Sequence, residues 1–227
     1  MENTYTPNNI AEELQSIPAD YVQEHLKRTI NLLSSSELQS LGRIFQRFTG
    51  VIPSEMSEEQ KAVLLYEVVT RSVCYSQNEK SESRFVFVSA LLAGEAVCMG
   101  IAELYALLCN WAGIRCKIVI GYAWNHFFED GSLHAWNMVR FTENGSEQWF
   151  HCDPTWDLSE LNRTEKEYLL KGDTYMKLHR HIWLPERYPV CRTDAGKVGR
   201  LNEKGVERTC QILKEVIASI LKQTRSQ

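Results

Sequence analysis

The sequence predicts an α+β domain in which a buried central helix packs on an antiparallel sheet, with helical flanks at both ends. Three observations carry this. Apolar residues recur every three to four positions from about residue 20 to 71, and again near the carboxyl end. The segment Cys98–Trp111 is apolar around most of its circumference, as a central helix must be. It is followed by three short strand-like runs, the last two joined by Asn144-Gly145, a strong hairpin signal.

Taken in order, residues 1–18 are polar and contain Pro7 and Pro18, and read as a loosely held lead-in. Val22, Leu26, Ile30 and Leu33 mark one helix, and Leu38, Leu41, Ile44 and Phe48 a second. Gly50 to Pro53 breaks the pattern. Ser57-Glu58-Glu59-Gln60 then forms a capping box that opens a third helix through Val63, Leu64 and Val68. Residues 76–84 have the composition of an exposed loop. The central helix places Ile101, Leu104, Tyr105, Leu107, Leu108 and Trp111 around its surface and stops at Gly113. Strands are expected over 116–123, 133–141 and 148–152. Beyond 160 the sequence turns helical again and ends on the stripe Val206, Cys210, Leu213, Ile217 and Ile220, which suits packing onto the domain. The expected organisation is a helical flank over 1–68, a core over 69–160 and a helical extension over 161–227, in one compact domain.

At 227 residues the chain can bury a sizeable core. A net charge of −4 gives no reason to expect nucleic acid or an anionic membrane as partner. Residues 1–162 are net acidic and 163–227 net basic, which suits two faces that attract one another. No run is apolar enough to cross a bilayer, and the amino terminus lacks the basic start and apolar stretch of a signal peptide, so a cytoplasmic setting is expected. Seven cysteines without a Cys-x-x-Cys pair argue against a zinc ribbon or redox dithiol and for reduced thiols. Oligomeric state is left open.

Chemistry is concentrated in three segments: Gly-Glu-Ala-Val-Cys-Met-Gly (94–100), His-Ala-Trp-Asn (134–137) and Asp-Pro-Thr-Trp-Asp (153–157). They supply a thiol, an imidazole and a carboxylate in that order, suited to a nucleophile, a base and a group that orients the base. Cys98 falls at the first turn of the predicted helix, where unpaired N–H groups favour a thiolate and can face an oxyanion. Gly94 and Gly100 leave room there for backbone and substrate. A two-residue turn at Asn144-Gly145 makes His134 and Asp153 diagonal neighbours, a four-residue loop makes them direct partners, and either register keeps them on one face. Trp136 and Trp156 flank these residues and are candidates to wall a substrate groove. His179-Arg180-His181 lacks partners at ligand spacing and reads as a solvated helix end, so neither metal nor cofactor is expected.

The motifs Gly-x-Ala-Val-Cys-x-Gly-x-Ala, His-Ala-Trp-Asn and Asp-Pro-Thr-Trp-Asp resemble the core of the transglutaminase-like superfamily, in the form carried by small bacterial members. The likeness spans about residues 69–159 and continues weakly through 168–176 and His179. Gly113-Ile114-Arg115-Cys116 and Ile120-Gly121-Tyr122 resemble the passage that follows the family's nucleophile. The resemblance implies a papain-like arrangement with Cys98 as nucleophile, His134 as general base then acid, and Asp153 as orienter. It also implies an oxyanion-holding side chain upstream of the thiol, for which Tyr75 and Gln77 are the candidates. A peptide or protein substrate follows, with hydrolysis or deamidation of an amide through an acyl-enzyme expected over transfer to an amine. A non-catalytic binding module on the same fold is the competing class, disfavoured because all three motif residues are present.

Overall fold

The computed structural model describes residues 7–78, 82–125, 128–143, 146–158, 166–195 and 202–225. Three amino-terminal helices appear where the periodicity puts them: α2 (Tyr21–Asn31), α3 (Ser35–Thr49) and α4 (Glu58–Ser72). Reciprocal side-chain and backbone bonds close capping boxes at Ser34/Glu37 and Ser57/Gln60, satisfying N–H groups that a helix start leaves open. The lead-in differs from expectation. It contains a helix, α1 (Pro7–Ser16), whose Ile10 and Leu14 are almost fully buried against Tyr122 and Leu184. A ten-residue helix with only two buried apolar anchors gives too little periodicity to stand out from a polar background.

After α4 the chain forms a two-residue strand β1 (Cys74–Tyr75), the short helix α5 (Phe87–Leu92) and β2 (Glu95–Ala96), which pairs parallel to β1. The expected exposed loop is only partly that: Ser76 is buried on Glu95, and Glu82–Phe85 forms a 3-10 turn. β2 leads directly into the central helix α6 (Cys98–Trp111), with Gly113 left-handed just past its end at φ +82°. Trp111 departs from its predicted core role and lies half exposed, stacked on Phe45. Glu103, fully buried on α6, accepts the backbone N–H of Phe87 at 3.0 Å and meets His25 Nδ1 at 2.7 Å, tying α5 and α2 to the central helix.

The sheet follows: β3 (Arg115–Asn125), β4 (Phe128–Glu143), β5 (Ser146–Cys152) and β6 (His181–Trp183), in the order β5-β4-β3-β6, every pairing antiparallel. The Asn144-Gly145 turn lies outside the described residues. The ladder beside it pairs Glu143 with Ser146, Arg140 with Trp149 and Asn137 with Cys152, the register of a two-residue loop. Side chains alternate between two faces. Ile118, Ile120 and Ala135 meet α6, while Val119, Ala123, Trp136, Met138 and Trp183 build a second core with Trp156, Tyr168 and Met176. Among the described residues after 160 there is less helix than expected: a six-residue helix α7 (Asp173–Leu178) and β6 precede α8 (Glu203–Arg225). Val206, Cys210 and Leu213 of α8 pack into the core with α3 and α4. Among the described residues no helix is long and apolar enough to cross a membrane.

Gly121 on β3 is set by contact. A Cβ there would lie 2.3 Å from the Ile182 carbonyl and 2.4 Å from the Trp136 ring, whereas one on Gly42 in α3 would meet nothing within 4 Å. Gly121→Ala should therefore destabilise by about 2 kcal/mol or more through overpacking. Gly42→Ala should stabilise by ~0.5–1 kcal/mol through helix propensity. Urea unfolding of the two variants beside the parent protein checks both signs.

Candidate active site

Cys98, His134 and Asp153 converge because one strand stops short. The β5 ladder ends at Asn137 opposite Cys152, and the start of α6 comes to the stretch of β4 just beyond that point. Cys98 is the first residue of α6 and half buried; the Val97 side chain provides no cap, which leaves first-turn N–H groups facing the site. Asn137, fully buried, donates from Nδ2 to the Ala102 carbonyl at 2.9 Å and so pins the helix to the strand that carries His134.

Asp153 follows β5 by one residue and has no exposed surface. Its Oδ2 lies 2.7 Å from His134 Nε2, and its Oδ1 accepts the N–H groups of Thr155 (3.0 Å) and Trp156 (3.3 Å). Its own N–H donates to the Tyr168 carbonyl, and its carbonyl accepts the Tyr66 hydroxyl at 2.8 Å. With Nε2 engaged by Asp153, Nδ1 is the nitrogen that His134 offers to the thiol. Burial pushes the Cys98 thiol up, but the hydrogen bond and charge of His134, with the Ala135 N–H, more than offset it, so the thiol ionises below its usual range. Burial likewise opposes the His134 imidazolium, and the charge and hydrogen bond of Asp153 override it, raising His134 to about 10. Burial would raise Asp153 too, yet the two imidazoles beside it hold its carboxyl well below the usual carboxylate range. The arrangement can hold a thiolate beside an imidazolium at neutral pH. The pair is lost at the alkaline end as His134 releases its proton through about pH 10.

Several expectations about the surroundings are corrected. Trp136 has no exposed surface; its ring stacks beneath His134 and its Nε1 donates to His151 Nδ1 at 2.9 Å, so it is a floor and lines no groove. Trp156 is also buried, packed on His134 and Tyr168. Gly100 serves the fold and not substrate approach: a Cβ would come within 3.0 Å of the carbonyls of Arg84 and Val86. Gly94 makes a left-handed turn against Ser72. β1 carries Tyr75 to the side of Cys98, close enough for their charges to interact, and burial pushes its hydroxyl above the usual range, keeping it a donor. Gln77 is exposed on the chain beyond β1. Asp157, buried under Tyr66 and accepting the N–H groups of Glu167 and Tyr168, is pushed up to about 6 by burial and anchors the loop after Asp153.

The largest correction is His181. It is no solvated helix end: it sits on β6 with no exposed surface, and its Nε2 lies 3.0 Å from Asp153 Oδ2. Among the described residues, two clusters bring ligand-type atoms within 4.8 Å: His134, Asp153 and His181, and also His151, Asp173 and Cys191. In the second, the Trp136 N–H on His151 Nδ1 keeps the hydrogen on Nε2, facing Asp173, where a metal would require a lone pair. In the first, a cation would displace the proton that joins His134 to Asp153.

A thiol at a helix start, an imidazole on the adjoining strand and a carboxylate behind it form a core of papain-like architecture. Residues 46–154 match the family model of the transglutaminase-like superfamily. Kyphoscoliosis peptidase from Mus musculus is 26% identical over 118 residues, and that from Homo sapiens 27% identical over 118 residues. Each alignment covers 49% of this chain and 17% of the relative, so the chain spans about a sixth of the length of these relatives. A protein from Cytophaga hutchinsonii described as a candidate cysteine protease has a TM-score of 0.39 at 20% identity, over 56% of this chain and 39% of that one. A TGase crystal structure has a TM-score of 0.41 at 17% identity, over 60% of this chain and 38% of that one.

Alkylation tests the electrostatics. Iodoacetamide in limiting amount should label Cys98 before exposed Cys74 and before Cys116, Cys152, Cys191 and Cys210, whose thiols burial raises. Between pH 8 and pH 6 an ordinary thiol loses roughly 80-fold of its thiolate. Cys98 should lose markedly less than that in rate, read by peptide mapping across pH.

Proposed function

We propose that the protein is a thiol hydrolase or deamidase acting on the amide of a peptide bond or glutamine side chain. The observation that carries this reading is the lowered Cys98 thiol beside an imidazole that Asp153 holds protonated. Cys98 thiolate attacks the amide carbonyl carbon, and the oxyanion gathers N–H groups at the start of α6, with the Tyr75 hydroxyl as a further candidate donor. His134 gives its proton to the departing nitrogen as the C–N bond breaks, leaving a thioester on Cys98. His134 then takes a proton from water, which adds to the thioester, and collapse releases the acid and restores the thiolate. Peptidase relatives lend weight to water as the acceptor. Transfer to an amine demands that an ammonium first lose its proton and its hydration.

A panel of peptide and glutamine-bearing substrates, each offered with a labelled primary amine, separates the outcomes. Acid and ammonia or free amine should dominate; label incorporation as the main product at modest amine concentration would make the protein a transglutaminase.

His134→Ala should lower turnover by about three orders of magnitude or more. Asp153→Ala is a poor probe, since it would strip a buried site of its anion and cost ~3–5 kcal/mol of stability. Asp153→Asn keeps an acceptor for the Thr155 and Trp156 N–H groups and should lower turnover by about two to four orders of magnitude with the fold retained. Rates taken beside melting curves for both variants check this.

A further inference from the structure

We propose that His181 is a positioning residue of the site, a second imidazole that donates to the same Asp153 oxygen as His134 and so fixes the carboxylate that orients the base. The inference rests on the reading of Cys98, His134 and Asp153 as the reacting set. It starts from the sheet register. On β3, Gly121 pairs with His134 of β4 on one side and with Trp183 of β6 on the other, while Ala123 pairs with His181. His134 and His181 therefore stand on the same face, on either side of β3, and Asp153 reaches both with a single oxygen at 2.7 and 3.0 Å.

Hydrogen-bond capacity supports a donor role. An ionised carboxylate has about four acceptor sites, and Asp153 has four neighbours to fill them: His134 Nε2, His181 Nε2 and the N–H groups of Thr155 and Trp156. A bare Nε2 on His181 would set its lone pair against a carboxylate oxygen among buried aromatic rings. Trp156, Trp136 and Tyr168 surround the His181 ring at centroid distances of 4.4, 5.1 and 5.6 Å. A hydrogen on Nε2 makes that contact a charge-assisted bond to an anion, whereas Nδ1 faces only the neutral His179 carbonyl, so the single hydrogen of a neutral ring belongs on Nε2. Burial pushes the His181 imidazolium down, and Asp153 is the group that opposes it.

The backbone limits where the ring can sit. His181 Nδ1 lies 3.0 Å from the His179 carbonyl, two residues back, a bond that only the doubly protonated ring completes while Nε2 donates to Asp153. Arg180 between them has φ +62°, a left-handed conformation that a branched or long side chain adopts under constraint. The Arg180 carbonyl accepts the Trp124 N–H, fastening this turn to β3. A tight turn and a buried ring that both serve one carboxylate oxygen do more than fill space.

The test uses the full chain labelled with 15N-histidine, whose ring nitrogen shifts report protonation at each site, together with Cys98 alkylation rates of three proteins. In the unaltered protein His181 Nε2 should be protonated. His181→Phe, which keeps a ring but no donor, should slow Cys98 alkylation at neutral pH about tenfold, ~1.4 kcal/mol, and move the His134 ring shifts. His181→Gln, whose amide can still donate to Asp153, should stay within about threefold of the parent. Equal rates in the two variants, or a bare His181 Nε2, would overturn the proposal. Should His181→Phe not fold, the protonation state of Nε2 in the unaltered protein decides alone. If Cys98 of the unaltered protein reacts no faster than Cys74, the catalytic reading fails instead, while the shift of His181 still judges the bond to Asp153.

Discussion

The structure turns on one buried carboxylate. Asp153 sits at the end of β5 with no access to water, and an ion so placed persists only where donors replace its hydration. Those donors come from distant parts of the chain: His134 from β4, His181 from β6 and two N–H groups from the turn that follows. Its backbone is held as well, by the Tyr66 hydroxyl of α4 and by the Tyr168 carbonyl. Helix, sheet and carboxyl-terminal region are thus fastened to the same residue. The polar network that orders the site is also part of what holds the fold together, and weakening one weakens the other.

Around that node the remaining contacts set distance. Asn137 draws α6 onto β4, and Gly100 lets the first turn of α6 lie against the backbone of 84–86. Glu103 anchors α2 and α5 one turn further along the same helix. Gly121 leaves the space that the Trp136 ring fills, and that ring in turn underlies His134 and engages His151. A change of a single methyl group at Gly100 or Gly121 is therefore transmitted to the thiol–imidazole pair through rigid contacts, because a close-packed interior has no slack in which to absorb it.

Much of this was legible in the sequence. The three amino-terminal helices, the Ser57 capping box, the limits of α6 and the hairpin joining β4 to β5 follow from local chemistry, namely apolar period, cap residues and the turn signal of Asn144-Gly145. The hairpin's register puts His134 and Asp153 on one face. What stayed hidden depends on partners far along the chain. His179-Arg180-His181 looks polar and exposed as a string of letters; only the pairing of β6 with β3 turns His181 inward. Trp136 looks like a groove wall until its indole is seen to be satisfied by His151, fifteen residues away. Gly100 reads as room for substrate because nothing local reveals that residues 84–86 occupy that space. Within the Asp motif, Asp157 is equally ambiguous until Tyr66 and the 167–168 backbone claim it for structure.

Two imidazoles face one carboxylate oxygen, yet their second nitrogens meet different chemistry, and that difference separates their roles. His134 turns its other nitrogen to Cys98, a group that can give up a proton and later receive an acyl carbon. His181 turns its other nitrogen to the His179 carbonyl, which can only accept and never exchanges. The first ring can therefore cycle between imidazole and imidazolium as a reaction proceeds, while the second has nowhere to pass a proton. Asp153 between them stays anionic throughout, and its charge works on His134 at constant geometry. A base serving two successive proton transfers needs that constancy, since the orientation that accepts the thiol proton must also deliver it to the leaving nitrogen and then reach the incoming water.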